Sequence, residues 1–105
     1  MVEFKNKKIL VYGFGRSGKS CLNYLKKNNI VKIYDDKLKK LPKKFKISQF
    51  KLKKTKFDFI VLSPGINKDV CNLKKFLLIN KSKIISDLYI FYFKNIQNLK
   101  IWITG

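Results

Sequence analysis

The sequence predicts an α/β fold in which a mostly parallel sheet is covered by helices on both faces. Short apolar runs rich in β-branched residues alternate with segments of helical periodicity along the 105 residues. A glycine-rich turn separates the first apolar run from the first helical segment, as in a βαβ unit. The length is that of one domain, so we assign residues 1–105 to a single folded unit.

The first βαβ unit is predicted over residues 9–35. An apolar run at 9–12 indicates a strand buried on both faces, and a second run at 30–34 indicates its parallel neighbour. Between them, apolar residues recur at helical spacing. Ser17 is the predicted N-cap, and Asn28 or Asn29 is predicted to take the left-handed conformation that ends many helices.

The remaining elements follow in a regular order. The lysine-dense stretch 37–56 is interpreted as a connection with one short edge strand. A strand at 57–62 runs into the turn Ser63-Pro64-Gly65-Ile66, and a helix at 70–80 and a strand at 84–85 come next. Asp87 is the predicted N-cap of an aromatic helix at 88–93, and 100–105 is the last predicted strand.

The formal net charge of +19 suggests a nucleic-acid partner, but the kind of charge argues against one. Of the 25 basic residues, 24 are lysine and only Arg16 is arginine, and alanine is absent. This pattern indicates a coding sequence rich in A and T, and it lacks the arginine forks that read bases. We therefore expect no nucleic-acid partner.

Several other classes are also disfavoured. No apolar run approaches the roughly 20 residues that span a bilayer, so no membrane association is expected. The N-terminus lacks the pattern of a secretory signal, which predicts a cytoplasmic protein. Cys21 and Cys71 are isolated and histidine is absent, which predicts two reduced thiols and no metal site.

The stretch 13–20 fits two motifs that exclude each other. Gly13, Gly15 and Gly18 fit G-x-G-x-x-G, the turn of a Rossmann-type unit, while 13–20 also fits G-x-x-x-x-G-K-[ST], the Walker A loop. An acid belongs about 20 residues further on in the Rossmann case, and Asp35 lies there. This spacing favours a Rossmann-like three-layer sandwich, with NAD, FAD or a UDP-sugar as possible ligands.

Taken in order, the segments 13–20, Asp35, 63–66, Ser86-Asp87 and 103–105 resemble the N-terminal domain of the Mur ligases. Within that family they are most similar to the UDP-N-acetylmuramoyl-L-alanine:D-glutamate ligases. The resemblance implies a cytoplasmic, monomeric enzyme that forms an amide bond with ATP in peptidoglycan synthesis. It also implies that this stretch holds the UDP part of UDP-N-acetylmuramoyl-L-alanine.

The resemblance implies that ATP, Mg²⁺ and D-glutamate are bound by central and C-terminal domains outside this stretch. The stretch itself is then inactive alone, with no catalytic residue, metal or cofactor of its own, and the Walker match is a coincidence. Two positions depart from the family pattern. Tyr89 stands where a glutamate is usual, and Asp36 stands where a hydroxyl or a small residue is usual.

The resemblance implies a UDP site that consists of nine residues in three groups. The glycine loop would meet the uracil, the loop after the second strand would close over uracil and ribose, and the Pro-Gly turn would offer backbone N–H groups to the diphosphate. The nine residues are Gly15, Arg16 and Ser17; Asp35, Asp36 and Lys37; and Ser63, Pro64 and Gly65.

An alternative from another class stays open on the sequence. The same glycines, with Asp35 on an adenosine ribose, would serve an NAD-binding Rossmann domain of a regulator or a dehydrogenase.

Overall fold

A computed structural model describes residues 4–92 and Asn95 of the chain. The core element is a four-stranded sheet of order β2-β1-β3-β4 in which every strand pairing is parallel. The strands are β1 (Lys8–Tyr12), β2 (Ile30–Tyr34), β3 (Phe59–Leu62) and β4 (Ile84–Ser86). The predicted α/β class is confirmed, as are four of the five strands predicted within these residues.

The central strands end level with one another. Tyr12, the last residue of β1, pairs with Tyr34 at the end of β2 and with Leu62 at the end of β3. Four of the five β1 residues are buried, as expected for a strand covered on both faces. The loops that follow these three strands therefore leave the sheet side by side.

Helices cover both faces of the sheet, which confirms the three-layer sandwich. They are α1 (Arg16–Leu25), α2 (Gln49–Lys54), α3 (Lys74–Ile79) and α4, which begins at Asp87 and whose described part is 87–92. Apolar residues of α1 and α4 pack with one side of the sheet in one core cluster. Apolar residues of α2 and α3 pack on the other side in a second cluster.

Both ends of α1 differ from the sequence prediction. Gly15 rather than Ser17 is the N-cap, because the glycine turn passes directly into the helix and the Lys19 N–H donates to the Gly15 oxygen. At the other end, Asn6 is the one non-glycine residue of the described range with positive φ, so neither asparagine has the predicted left-handed conformation. Instead the Asn29 side-chain amide donates to the Leu25 carbonyl at 2.9 Å.

The connection after β2 contains a helix that the sequence did not predict. The expected edge strand is reduced to one bridge between Ile33 and Lys46. The chain then enters α2, where Ser48 caps the helix by accepting the Lys51 N–H and Leu52 is fully buried. The sequence did not indicate this helix because it is rich in lysine and only one of its six side chains is buried, which leaves no apolar periodicity.

The helix predicted at 70–80 begins four residues late. Asn67 forms a turn in which its side chain accepts the Asp69 N–H and its carbonyl accepts the Cys71 N–H. The Asn72 N–H donates to Asp36, which removes it from any helical ladder. As a result α3 starts at Lys74, and Val70 is exposed.

Asp87 is the first helical residue of α4 rather than its N-cap. Ser86 takes the capping role, because its Oγ accepts the Tyr89 N–H at 3.3 Å. The strand predicted at 100–105 and the last residue of the helix predicted at 88–93 lie outside the described residues. In the described part, no helix has the length and apolar character needed to cross a bilayer.

Candidate functional site

A cleft of about 310 Å³ opens at the carboxyl ends of β1, β2 and β3. The strand order places the connection from β1 to β2 on one side of β1 and the later strands on its other side. Loops diverge at such a switch point, and α/β sheets bind their ligands in the crevice between them. Three loops form this cleft: the glycine turn, the loop after β2 and the turn after β3.

The structure shows a different steric environment at each of the three motif glycines. Gly13 has φ +97°, and its N–H donates to the backbone carbonyl of Tyr34 at 2.8 Å. A Cβ on Gly18 would overlap the carbonyl oxygen of Gly13, so α1 packs directly against the turn. A Cβ on Gly15 would meet no heavy atom of the described residues within 4 Å, and this glycine faces open space at the cleft.

This geometry is that of the Rossmann turn. A Walker A loop must open around a phosphate between its first glycine and its lysine. Here Gly13 and Gly18 are in contact, and two backbone N–H groups of the turn, those of Gly13 and Phe14, already donate within the protein. Lys19 is exposed on α1. The G-x-G-x-x-G interpretation is therefore the one that the loop fits.

Asp35 joins the glycine turn to the loop after β2. Its Oδ2 accepts the Phe14 N–H at 2.7 Å, and its Oδ1 accepts the Lys37 and Leu38 N–H groups at 2.8 and 2.9 Å. Partial burial raises the pKa of Asp35, but the three backbone donors and the Lys37 charge outweigh burial and lower the pKa below its usual value. Asp35 is therefore a carboxylate at neutral pH.

Asp36 makes a second set of bonds at the base of the cleft. The Tyr12 hydroxyl donates to both carboxylate oxygens, at 2.7 and 2.8 Å, and the Asn72 N–H donates to Oδ2 at 3.2 Å. Tyr12 is fully buried, and burial followed by the Asp36 hydrogen bond raises its pKa well above the usual value. The tyrosine is therefore a neutral donor.

The turn after β3 forms the opposite wall. The Ser63 N–H donates to the backbone carbonyl of Tyr12. The Ile66 N–H donates to the backbone carbonyl of Ser63 at 3.1 Å, which closes a tight turn. Pro64 and Gly65 are exposed at its tip. A Cβ on Gly13 would lie 2.5 Å from the Ser63 Cβ, so this wall packs closely against the glycine turn.

Six of the nine residues that the sequence indicated line this cleft. They are Gly15, Asp35, Asp36, Lys37, Ser63 and Gly65. Arg16, Ser17 and Pro64 are adjacent along the chain but are not among the lining residues. Arg16 is exposed as the first residue of α1, and Ser17 is half-buried.

Sequence reasoning missed the wall made by the chain after Ile66. Asn67, Val70 and Cys71 line the cleft because the segment folds back toward Asp36. The Tyr12 hydroxyl was missed as well. A tyrosine that ends a buried strand beside the motif is the one signal that could have indicated it, because a buried hydroxyl needs a partner.

A larger cleft of about 510 Å³ lies beside α2 and has a different character. It extends to Lys8, the first residue of β1 and thus the opposite end of that strand from Gly13, and five of its nine lining residues are lysines. None of the residues that the sequence indicated line it. Lysine makes up 24 of the 105 residues and is concentrated on the surface, so this composition does not mark a site.

Residues 4–92 and Asn95 contain no group of three His, Cys, Asp or Glu side chains placed to hold a metal ion. The polar groups of the cleft include the two carboxylates, the Lys37 ammonium, the side chains of Ser63, Asn67 and Cys71, and backbone amides. Such groups can bind a polar organic ligand that carries both hydrogen-bond donors and anionic oxygens.

Fold and cleft together define a Rossmann-like domain with its crevice at the glycine turn. A family model described as the N-terminal domain of MurD-like Mur ligases matches residues 7–85, which include β1 to β3, the first two residues of β4 and all three loops of the cleft. The chain belongs to this family. A search of solved structures finds no significant match.

Proposed function

We propose that the cleft binds the uridine diphosphate part of UDP-N-acetylmuramoyl-L-alanine. The chain would then be the substrate-binding part of a ligase that adds D-glutamate in peptidoglycan synthesis. Membership of the MurD-like N-terminal family supports the ligase class. The observation that supports a nucleotide ligand is that the glycine turn, the loop after β2 and the turn at Ser63–Gly65 converge on one cleft.

The proposed contacts follow from what each loop offers. Gly15 leaves room for a ligand next to the first turn of α1, where Arg16 and Ser17 would meet the uracil. The positive end of this ten-residue helix favours an anionic ligand. Ser63, Pro64 and Gly65 would face the diphosphate, and Lys37 adds a cation at the rim.

Asp35 has capacity for one further donor. A carboxylate has about four acceptor positions, and three are used by backbone N–H groups, which leaves one on Oδ2. A uracil ring has one N–H to donate. The 2′-hydroxyl of an NAD ribose is likewise one donor, so this capacity fits a single nucleotide donor group and the titrations below decide between UDP and NAD.

In the proposed reaction the L-alanine carboxylate of the substrate takes the γ-phosphoryl group of ATP and ADP leaves. The D-glutamate amine then attacks the acyl phosphate, an amide bond forms and phosphate is released. The residues of this chain would hold and orient the nucleotide end of the substrate. ATP, Mg²⁺ and D-glutamate would be bound by other domains of the ligase.

The chain alone should therefore hydrolyse no ATP. Lys19 lies exposed on α1, and the contact between Gly13 and Gly18 closes the loop that would have to open around a phosphate in a Walker A motif. A phosphate-release assay with wild-type protein and Lys19→Ala tests this directly. Hydrolysis by the wild type that is lost in the variant would overturn the assignment of the glycine turn.

Parallel titrations with UDP and NADH test the proposed ligand. We expect saturable UDP binding that NADH does not displace, and a loss of roughly tenfold or more in affinity in Asp35→Ala, because that carboxylate holds both loops in place. Asp58→Ala is the matched control, since Asp58 also accepts a backbone N–H but lies beside Lys8 at the other end of β1. Tight NADH binding without UDP competition would favour the dehydrogenase class.

A further inference from the structure

The hydroxyl of Tyr12 and the carboxylate of Asp36 form a polar pair beneath the cleft. Tyr12 is fully buried at the end of β1, directly before Gly13. Its hydroxyl lies within 2.8 Å of both Asp36 oxygens. A short hydrogen bond to an ionised acceptor is among the stronger ones in proteins, and the aromatic ring is held by the core, including an edge-to-face contact with Tyr34.

The same carboxylate reaches the far wall of the cleft. Asn72 donates its N–H to Asp36 Oδ2 at 3.2 Å, and Cys71, the residue before it, lines the cleft. Asp36 therefore connects three separate segments: the end of β1, the loop after β2 and the turn before α3. That turn is also held by local bonds centred on Asn67 and by the interaction of the Cys71 side chain with the Tyr12 hydroxyl.

We propose that Tyr12 and Asp36 are a positioning pair. The pair fixes the distance between the wall at residues 66–72 and the ends of β1 and β2. In this role Asp36 acts on the nucleotide through the wall at 66–72, because its oxygens accept the Tyr12 hydroxyl and the Asn72 N–H. The effect on nucleotide affinity rests on the proposed function, whereas the effect on the wall does not.

Tyr12→Phe, Asp36→Asn and the double variant test the pair, with Tyr34→Phe as the matched control. Tyr34 is the neighbouring tyrosine at the end of β2, and its hydroxyl lies 3.4 Å from Gln49 Oε1, outside the cleft lining. The phenylalanine variants retain the ring packing, so they remain informative if Asp36→Asn does not fold. Two quantities are measured: amide hydrogen exchange by NMR, and the UDP dissociation constant.

We expect exchange at the Asn72 amide to rise by roughly tenfold in Tyr12→Phe and in Asp36→Asn, relative to any change at Val61 in β3. Tyr12→Phe removes a hydroxyl that contacts both Asp36 and the Cys71 side chain, and the comparison with the double variant separates the effect through Asp36 from the effect through Cys71. UDP should bind roughly tenfold more weakly in each variant, and the double variant should be no worse than the poorer single one. Tyr34→Phe should match the wild type in both measurements.

Unchanged Asn72 exchange in Tyr12→Phe would overturn the positioning pair, as would equal acceleration at Asn72 and Val61, which would indicate a purely global loss of stability. Additive losses of UDP affinity in the double variant would overturn it too, because the two residues would then act separately. A wild-type chain that does not bind UDP would instead overturn the proposed function. In that case the exchange data alone decide whether the pair positions the wall.

Discussion

Gly18 determines how closely α1 approaches the end of β1. Its Cα lies against the carbonyl of Gly13, where no side chain can be placed, whereas Gly15 three residues earlier faces open space. The two glycines therefore have different functions although they belong to one motif. Gly18 is required by packing, and Gly15 leaves open space at the cleft.

Gly18→Ala should lower the free energy of unfolding by about 1–3 kcal/mol, because the added methyl group forces α1 away from the turn. Urea unfolding followed by circular dichroism measures the change. Gly65→Ala is the control, since a Cβ there meets no heavy atom of the described residues within 4 Å. An equal loss of stability in both variants would contradict the steric role of Gly18.

Asn29 closes α1 with its side chain in place of a left-handed residue. Its amide donates to the carbonyls of Leu25 and Phe4, and its oxygen accepts the Lys7 N–H. We expect Asn29→Ala to cost about 1–3 kcal/mol in the same unfolding assay, because partly buried backbone groups lose their partners. The exposed neighbour gives the control: Asn28→Ala should change stability by less than about 0.5 kcal/mol.

At the scale of elements, the loops after β1 and β2 are joined by the Asp35 carboxylate. Its pKa in the folded protein lies below the ordinary value, so ionisation favours the folded state. The contribution is complete above the unfolded pKa of about 3.9 and is lost as the pH falls through the folded pKa. The link between the two loops should therefore weaken in acid.

The pH dependence of unfolding tests this link. The wild type should be more stable than Asp35→Asn at pH 7, and the difference should shrink as the pH falls below about 4. Asp69→Asn, which removes an exposed carboxylate from another loop, serves as the control. A difference that grows in acid would show that the charged form of Asp35 does not stabilise the fold.

Strands were easier to predict from the sequence than helix boundaries. β1 and β2 are apolar runs bounded by lysine, glycine or acid, and central parallel strands require such runs whatever surrounds them. The start of α3 depends instead on Asn72 donating to Asp36, a contact across 36 positions of sequence. No local pattern records that contact.

The candidate site was predictable where it follows the strands. Asp35 and Ser63 lie directly after a strand and Gly15 lies three positions after β1, so the parallel topology brings them to one edge. The wall at 66–72 was not predictable, because it folds back by an asparagine turn and a tertiary bond. Arg16 and Ser17 are on the correct helix, but their side chains are not part of the cleft lining.

For the whole molecule, the two cysteines report on different parts of the fold. Cys21 is buried in the α1 core, and burial, followed by the nearby Asp87 charge, raises its pKa to about 11. Cys71 is half-buried in the cleft wall. Iodoacetamide at pH 8 should therefore modify Cys71 and not Cys21, as mass spectrometry can show.

A ligand in the cleft should protect Cys71. We expect UDP to slow its alkylation severalfold, whereas sodium sulfate at the same ionic strength should have no effect, which separates cleft binding from general attraction to a chain of net charge +19. Alkylation of Cys71 at the same rate with and without saturating UDP would place the nucleotide elsewhere.

The most direct test of the nucleotide site is a UDP titration of the isotope-labelled chain followed by amide chemical shifts. Binding in the proposed cleft should shift the amides of Gly15, Lys37 and Gly65, which lie on three separate loops, with one common dissociation constant. The amide signals of Lys51 and Lys54, which line the larger cleft beside α2, should not shift. Shifts confined to those lysines, or no saturable shifts at all, would contradict the assignment of this cleft to UDP.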